Sequence, residues 1–279
     1  MYGGIIMRAP KVVVCDMDST LVIKHQELTE RAKKAIHILR EHGVYFGVAS
    51  GRPIFQLRHT TDRWDIDQDL MIAMNGCELY DVLDDKHYNY FMMEPEWIKE
   101  TIELMSPFDC NPMVALNGEQ YVGHTDELVE MSEKFMGKKM IVVDDISELY
   151  KEANAKIMFR VNAEDMPKIE AHIAAHPSPN YKGFKTQPTM MEFANINASK
   201  GYALVEFCKL HNIDMQDVYA FGDTTNDNEM LEVAGVGVCM ANGSDDTKAV
   251  ADVITELGCD DDGWADFVEN HILKPLGWM

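Results

Sequence analysis

Two aspartates, Asp16 and Asp18, directly follow a short apolar run, Val12 to Cys15. Such a run predicts a strand that is buried on both faces of a parallel sheet. Carboxylates at the end of that strand would lie where open α/β sheets bind ligands. Because alternate residues of an extended chain point the same way, both carboxylates could face one substrate. The pair alone is weak evidence, since 47 of the 279 residues are acidic and a solvated acidic loop explains it equally well.

Further polar side chains follow other predicted strands. They are Ser50 and Arg52 after the second strand, Asn75 after the third, and Asp223, Asn226 and Asp227 after a late one. The carboxyl ends of parallel strands share one edge of a sheet, so these groups are expected to converge there. Clustered carboxylates would repel by about 4 kcal/mol for each pair at about 4 Å. The cluster therefore needs a cation, and oxygen ligands with open positions suit Mg2+, which pairs with substrate phosphate.

Several of these residues also have a purely structural explanation. Ser50 precedes a helix that starts near Pro53, so its hydroxyl is either an ordinary cap or part of an anion site at the helix N-terminus. Lys200 starts another helix. A positive charge at a helix N-terminus interacts unfavourably with the helix dipole, which costs about 0.3–1 kcal/mol. Lys200 is either a solvated side chain or a cation aimed at a phosphate or a carboxylate. Asp223 and Asp227 could each cap a helix.

The elements that must position these residues follow a strand-helix-strand-helix-strand pattern, which is typical of a parallel sheet. The pattern changes to hairpins and helices after about residue 78. Pro177 and Pro179 are interpreted as a break in the chain, and an extended stretch from Thr189 to Ile196 leads back to the first pattern. The predicted fold class is α/β, with a parallel-sheet core at residues 1–86 and 190–279 and an inserted α+β domain at residues 87–189.

Composition narrows the class of partner. The net charge of −22, from 25 basic and 47 acidic residues, disfavours nucleic acid and anionic membranes. A small anionic substrate is compatible with this net charge, because charges beyond a Debye length of about 8 Å are screened from a cleft.

No apolar run approaches the ~20 residues of a membrane span, and the N-terminal MYGGIIMRAPK is too short and weakly apolar for a signal peptide. Six scattered cysteines argue against a zinc site or a disulfide framework. The expected location is the cytoplasm.

Four short motifs resemble those of the haloacid dehalogenase-like (HAD) phosphatase superfamily. They are DMDST, the serine of VASGRP, the lysine of ASKG and the run GDTTNDNEML, and their order and spacing match as well. The long insert resembles the large α/β cap of the Cof-type sugar-phosphatase branch, and the likeness runs from about Lys11 to Leu273. The resemblance implies a HAD-like Rossmannoid core with an inserted cap domain and a Mg2+-dependent phosphatase.

The resemblance also implies a role for each motif residue. Asp16 would attack phosphorus and form an aspartyl-phosphate, and Asp18 would protonate the leaving oxygen and then activate water. Ser50 and Lys200 would hold the transferring phosphoryl oxygens. The full set of implied phosphate- or substrate-binding residues is Ser50, Gly51, Arg52, Asn75, Lys200 and Asn226. The implied metal ligands are Asp16, Asp18 through its main-chain carbonyl, Asp223 and, directly or through water, Asp227.

One position departs from the branch, because Ser19 stands where the Cof-type branch usually has glycine. A serine there resembles the phosphoserine-phosphatase branch instead. The short segment from Leu21 to Glu27 leaves no room for the smaller cap that the phosphoserine branch carries at this point. The resemblance therefore still implies the Cof-type branch, with Ser19 as the position at which the first loop differs from it.

The predicted function is hydrolysis of a small phosphorylated metabolite, such as a sugar phosphate, by a Mg2+-dependent phosphomonoesterase. Two alternatives remain. One is an enzyme, a phosphosugar mutase, and the second is a non-catalytic module that binds a phosphorylated metabolite on the same fold. The insert is expected to close over the core and to choose the leaving group, with Arg160 and Tyr121 as candidate contacts. The sequence indicates neither the substrate nor the oligomeric state.

Overall fold

The computed structural model of the chain describes residues 8–23 and 27–279. The signal-peptide prediction rests largely on residues 1–7, and the short segment discussed beside Ser19 includes residues 24–26; both stretches lie outside the described residues. The chain divides into two compact units, which we call the core unit (Met1–Tyr90 with Ser199–Met279) and the insert unit (Phe91–Ala198). Among the described residues, no helix is both long and apolar enough to cross a membrane.

Strands and helices alternate along most of the chain. The strands are β1 (Val12–Asp16), β2 (Tyr45–Ala49), β3 (Leu70–Ala73), β4 (Glu78–Asp81), β5 (Lys86–Asn89), β6 (Cys110–Leu116), β7 (Glu119–Val122), β8 (Ile141–Val142), β9 (Lys156–Val161), β10 (Tyr181–Gln187), β11 (Met190–Asn195), β12 (Val218–Gly222), β13 (Val236–Cys239) and β14 (Val253–Ile254). The α-helices are α1 (Glu30–Glu41), α2 (Ile54–Thr61), α3 (Pro95–Met105), α4 (Glu127–Met136), α5 (Met166–Ala175), α6 (Lys200–Leu210), α7 (Asn228–Val233), α8 (Asp245–Val250) and α9 (Gly263–Phe267). Short 3-10 turns join several of these elements, and α9 continues as a π-helix through Val268–Leu273.

The core unit is built on an eight-stranded sheet in the order β14-β13-β12-β1-β2-β3-β4-β5. Strands β14 to β3 pair in parallel, and β4 and β5 complete the sheet as an antiparallel hairpin. All five residues of β1 are buried, which is the pattern of a strand covered by helices on both faces. The prediction of an α/β fold with a parallel sheet is therefore confirmed.

Helices cover both faces of this sheet. The apolar stripe of α1 (Ala32, Ala35, Ile36 and Leu39) packs in one cluster with Trp264 and Phe267 of α9. On the other face, Leu204 and Phe207 of α6 pack with Met230 and Leu231 of α7. Thr29 caps α1 by accepting a hydrogen bond from Ala32 N. Because helices cover both faces of the sheet, a ligand is expected to bind at the edge where the parallel strands end.

The insert unit has its own six-stranded sheet in the order β10-β11-β9-β6-β7-β8. All of its pairs are antiparallel except β7 with β8. Helices α3 and α5 contribute Ile98, Met105 and Ile169 to the larger of its two apolar clusters. Val129 of α4 belongs to the smaller one, which is rich in methionine. The insert therefore has an independent core, as expected for an α+β domain.

The boundaries between the units differ from the predicted ones. The unit boundaries fall after Tyr90 and after Ala198, rather than after residues 86 and 189. The hairpin strand β5 pairs with β4 and so belongs to the core sheet. Strand β11 lies between β10 and β9 and so belongs to the insert. Backbone pairing, which side-chain patterns do not reveal, sets both boundaries.

Candidate active site

The predicted site residues of the core unit lie at one edge of the sheet. Asp16 is the last residue of β1, and Ser50 follows β2, whose Ala49 is in register with Asp16. Asn75 lies just after β3, and Asp223 follows β12, the other neighbour of β1. The parallel pairing of these four strands brings groups distant in sequence to the same end of the sheet.

Lys200 lies at the centre of the edge and is fully buried. Its Nζ donates hydrogen bonds to Asp16 Oδ1 at 2.5 Å and to Asp227 Oδ1 at 2.7 Å. Among the alternatives for Lys200, the structure therefore favours a cation that serves a carboxylate over a solvated side chain. The two ion pairs compensate for the unfavourable position of a cation at the start of α6.

Local backbone geometry places Lys200 there. Ser199 caps α6 by accepting a hydrogen bond from Tyr202 N. Gly76 has φ +94°, and a Cβ at that position would lie 1.9 Å from Ser199 O. The loop after β3 can therefore approach the start of α6 only with glycine at residue 76.

Asp227 organises the loop that carries Asp223. Its Oδ2 accepts hydrogen bonds from the backbone N–H groups of Asp223 (3.0 Å) and Thr224 (3.1 Å), while its Oδ1 accepts from Lys200. With Thr224 it forms a reciprocal capping box. A Cβ on Gly222 would lie 2.4 Å from the Cβ of Asp227, so glycine is needed for this close approach. Both oxygens of Asp227 are thus engaged in holding the loop and Lys200.

The electrostatics of the cluster are unbalanced without a further cation. Burial raises the pKa of Asp16 well above its usual value, Lys200 opposes that effect, and the carboxylates of Asp227 and Asp223 add to it. Burial by itself would lower the pKa of Lys200, but Asp16 and Asp227 raise it above its usual value, so the ammonium stays charged. If all three carboxyl groups are ionised, three carboxylates against one ammonium leave two uncompensated negative charges.

A divalent cation fits this donor set. Asp16, Asp223 and Asp227 each offer a carboxylate oxygen, and these atoms lie within 4.8 Å of one another. An all-oxygen set with few protein ligands suits Mg2+, which keeps several of its waters. Because Asp227 already accepts three hydrogen bonds, Asp16 and Asp223 are the better direct ligands. The charge of such an ion would match the two uncompensated negative charges.

Asp223 should make both metal binding and stability depend on pH. Burial raises the pKa of Asp223 to about 6, nearby carboxylates add to this, and Thr20, which donates to Asp223 Oδ1 at 2.8 Å, opposes it. Without metal, the folded protein then holds a proton at Asp223 that the unfolded chain releases near pH 4. The contribution of Asp223 to the free energy of unfolding should therefore be largest below about pH 4 and fall as the pH rises through about 6. Mg2+ affinity should rise over the same range, because the ion displaces that proton.

Urea unfolding in EDTA from pH 4 to pH 8, together with Mg2+ titration by calorimetry, would measure both trends. Asp223→Asn is the matched control, since it removes this titration and leaves the other acidic residues in place. We expect the difference in unfolding free energy between the two proteins to change most steeply between about pH 4 and pH 6 and to level off above that range. A difference that does not vary between pH 4 and pH 8 would contradict the prediction.

The predicted phosphate-binding residues form a connected loop network. The Ser50 hydroxyl accepts a hydrogen bond from Arg52 N at 3.2 Å, and Ser50 is almost fully buried. The N-cap of α2 is Pro53, so the Ser50 hydroxyl does not act as the cap of that helix. Asn75 adopts a left-handed conformation with φ 55°, and its Oδ1 accepts from Asn226 Nδ2 at 3.0 Å. A Cβ on Gly51, the residue between Ser50 and Arg52, would lie 3.1 Å from that same Asn75 Oδ1.

Asp18 and Arg52 contact each other. Arg52 Nη2 lies 2.7 Å from each carboxylate oxygen of Asp18, and Arg52 Nη1 donates to Thr60 Oγ1 at 3.3 Å. Asp16 and Asp18, two residues apart, thus contact different cations of the same unit, Lys200 and Arg52. The sequence interpretation named Arg52 as a phosphate-binding residue and did not foresee this pair.

The loop conformation at Ser19 explains why glycine would suit that position. Ser19 has φ 68°, in the left-handed region that costs a residue with a Cβ about 1–2 kcal/mol. Its backbone N–H donates to Val22 O at 2.8 Å, and its carbonyl accepts from Asn242 Nδ2 at 2.9 Å. Two backbone hydrogen bonds therefore hold the conformation that glycine adopts without strain.

Ser19→Gly should raise the free energy of unfolding by about 1 kcal/mol, because it relieves the left-handed strain at Ser19 and keeps both backbone hydrogen bonds. Urea denaturation would measure the change, and Ser19→Ala, which keeps the Cβ, is the control with no expected gain. Loss of stability in Ser19→Gly relative to the parent protein would refute this explanation.

Two further side chains of the core unit, outside the predicted catalytic, phosphate-binding and metal-binding sets, contribute to the site. Thr20 is fully buried and donates to Asp223, which fixes one oxygen of that carboxylate. Asn242 links the Ser19 carbonyl to Cys259 N, from which its Oδ1 accepts at 2.7 Å. The spacing of Thr20 from Asp16 and Asp18 could have suggested its role. Asn242 carries no such signal, since only the tertiary fold brings it to the loop.

The two candidate contacts in the insert unit have structural surroundings of their own. Tyr121, on β7, packs against the larger apolar cluster of the insert. Arg160, on β9, is half-buried, and its guanidinium contacts the Ser132 hydroxyl of α4. Burial lowers the pKa of Arg160, and the nearby carboxylate of Asp126 opposes that effect.

Comparison with known proteins agrees with this architecture. A family model described as haloacid dehalogenase-like hydrolase matches residues 13–268. A putative phosphatase of Bacillus subtilis, YxeH, is 27% identical over 242 residues, covering 83% of this chain and 87% of its own. A second B. subtilis relative, 5-amino-6-(5-phospho-D-ribitylamino)uracil phosphatase YitU, is 23% identical over 94% of this chain and 97% of its own.

A solved structure shows the same fold. The crystal structure of TM0651 from Thermotoga maritima superimposes with a TM-score of 0.82 at 25% identity, covering 93% of this chain and 97% of that one. The family match spans both strand ends that carry the carboxylate cluster, Asp16 with Asp223 and Asp227, and the insert between them. The predicted fold and enzyme class are therefore confirmed, and the chain belongs to the haloacid dehalogenase-like hydrolases.

Proposed function

We propose that this protein is a Mg2+-dependent phosphomonoesterase that hydrolyses a small phosphorylated metabolite through an aspartyl-phosphate on Asp16. One observation carries the proposal. The buried Lys200 ammonium bridges the Asp16 and Asp227 carboxylates beside Asp223, at the edge of a parallel sheet. This arrangement combines a carboxylate nucleophile, a fixed cation and oxygen ligands for a divalent ion, which together suit the transfer of an anionic phosphoryl group.

In the first step, a carboxylate oxygen of Asp16 attacks phosphorus. The new bond joins that oxygen to phosphorus, and the bond from phosphorus to the ester oxygen breaks, so the leaving oxygen takes the electron pair. Asp18 donates its proton to that oxygen, which therefore departs as an alcohol. Lys200 and the Ser50 hydroxyl hold oxygens of the transferring group, and the fixed charge of Lys200 stabilises the negative charge that they carry.

In the second step, water attacks phosphorus of the aspartyl-phosphate. Asp18, now a carboxylate, accepts the proton from the water, and the bond between phosphorus and the Asp16 oxygen breaks. Inorganic phosphate is released, Asp16 is regenerated as a carboxylate, and Asp18 is again protonated for the next turnover. One residue thus acts as the acid in the first step and as the base in the second.

Asp16 and Asp223 are the residues that would hold Mg2+, with the main-chain carbonyl of Asp18 as the third ligand implied by the family resemblance. When bound, the ion supplies positive charge that screens the phosphoryl oxygens from the carboxylates. Asp227 keeps Lys200 and the Asp223 loop in place for this arrangement. Removing Mg2+ should abolish turnover.

The proposed substrate class is a small phosphorylated metabolite. The relative YitU is named for a phosphorylated ribitylamino-uracil, which supports this class, and the net charge of −22 disfavours nucleic acid. The six cysteines are all free thiols, which supports the proposed location in a reducing compartment such as the cytoplasm.

A panel of sugar phosphates, nucleotides and phosphorylated cofactors, assayed for free phosphate with Mg2+ and with excess EDTA, tests the proposal. We expect phosphate release from at least one member, loss of release in EDTA, and recovery on adding Mg2+. An isomerised sugar phosphate without free phosphate would identify a mutase instead. Binding of a phosphorylated compound without any product, in protein shown to be folded, would identify a binding module.

A further inference from the structure

The guanidinium of Arg52 forms an ion pair with the Asp18 carboxylate. A single nitrogen, Nη2, donates to both carboxylate oxygens of Asp18 at 2.7 Å, and the other terminal nitrogen, Nη1, donates to Thr60 of α2. Charge-assisted hydrogen bonds of this length are strong and directional. The two side chains are only partly accessible, with 26% and 30% of their surfaces exposed, so the pair is not an open surface ion pair.

The backbone of Arg52 is fixed as well. Its N–H donates to the Ser50 hydroxyl at 3.2 Å, and its carbonyl accepts from Met74 N at 3.0 Å. Thr60, which meets the guanidinium, bonds back to Gln56 O within the same helix. The residue is therefore restrained at its backbone and at its terminal nitrogens, and it can impose an orientation on the carboxylate that it contacts.

We propose that Arg52 is a positioning residue that orients the Asp18 carboxyl group toward the leaving oxygen, rather than a phosphate ligand. The inference rests on the proposed function, in which Asp18 transfers the proton. A misplacement of about 1 Å at a reacting group costs about a hundredfold in rate, so an anchor on Asp18 has a large expected effect. The two roles of Arg52 predict different effects on kcat/KM. A phosphate ligand should matter equally for all phosphate esters, whereas a residue that positions Asp18 should matter most for esters whose leaving group must be protonated.

The leaving group separates the two roles. A para-nitrophenolate leaves as a stable anion and needs no proton, whereas the alkoxide of β-glycerol phosphate must be protonated as it departs. The ratio kcat/KM includes only events up to the first irreversible step, which is release of the leaving group. Arg52→Gln should therefore lower kcat/KM about a hundredfold for β-glycerol phosphate and only a few-fold for para-nitrophenyl phosphate.

A double-variant cycle makes the test specific. If Arg52 acts through Asp18, adding Arg52→Gln to Asp18→Asn should cost nothing further with β-glycerol phosphate. Arg58→Gln is the matched control, since Arg58 lies on α2 with its guanidinium over the Tyr80 ring, and both kcat/KM values should be unchanged. If Arg52→Gln does not fold, Arg52→Lys is measured instead, and a selective loss on the alkyl ester is again expected.

Equal losses on the two substrates with a raised KM would identify a phosphate ligand and overturn the proposal. Unchanged kcat/KM for both, or additive losses in the double variant, would overturn it as well. These outcomes leave the proposed function intact. Full phosphate release by Asp16→Asn would instead remove the proposed function itself, whatever Arg52 does.

Discussion

Asp16→Asn is expected to lower phosphate release by about four orders of magnitude or more, because an amide cannot form the aspartyl-phosphate. The fold should survive this change. Lys200 keeps its ion pair with Asp227, and the substitution removes a buried carboxylate whose pKa is raised by its burial. The loss would therefore reflect chemistry rather than unfolding.

Steady-state release of phosphate from para-nitrophenyl phosphate with Mg2+ measures this effect, and urea denaturation of the same preparation reports the fold. Asp217→Asn is the matched control, because Asp217 belongs to the core unit but pairs with Lys11 rather than with any site residue. We expect the control to keep parental activity. Residual activity of Asp16→Asn near the parental level, in protein free of contaminating phosphatase, would rule out Asp16 as the nucleophile.

Lys200→Met is expected to have the largest effect on stability. The substitution keeps much of the volume of the buried side chain and removes its charge, which leaves Asp16 and Asp227 uncompensated in a buried cluster. Removing one partner of a buried ion pair typically costs about 3–5 kcal/mol. The free energy of unfolding in EDTA at pH 7 should fall by about that amount, and phosphate release should be lost as well.

Two comparisons make this prediction specific. Lys209→Met, on the exposed face of the same helix, should leave stability unchanged because its pair with Glu206 is open to water. Lys200→Met combined with Asp227→Asn should recover part of the lost stability, since one of the two uncompensated charges is removed. A decrease well below 1 kcal/mol in Lys200→Met would show that Lys200 does not compensate the cluster.

The sequence pattern was sufficient for the parallel sheet and for the convergence of polar groups at its edge. The buried run before Asp16 is a local feature that forms a strand as the pattern predicts. Strand β10 was missed, because its sequence YKGFKTQ is polar, follows two prolines and lies at the edge of the insert sheet. Only its pairing with β11 makes it a strand.

The site was predictable as a set of residues but not as a set of contacts. The position of Lys200 at the start of α6 suggested a functional cation, yet its two carboxylate partners depend on the tertiary fold. Asp227 could be interpreted equally as a cap or as a ligand, and the structure shows it closing a capping box while holding Lys200. The contact between Arg52 and Asp18 joins two loops 34 residues apart, and no spacing rule indicates it.

The central claim is that the phosphoryl group passes through Asp16, and trapping that intermediate tests it most directly. Asp18→Asn should still accept the phosphoryl group from para-nitrophenyl phosphate, whose leaving group needs no proton, but should hydrolyse the intermediate slowly because the base is lost. An acid quench followed by peptide mass spectrometry should find one phosphoryl group on Asp16, removable by hydroxylamine. Phosphate release without phosphorylated protein, or a phosphoryl group on another residue, would contradict the account.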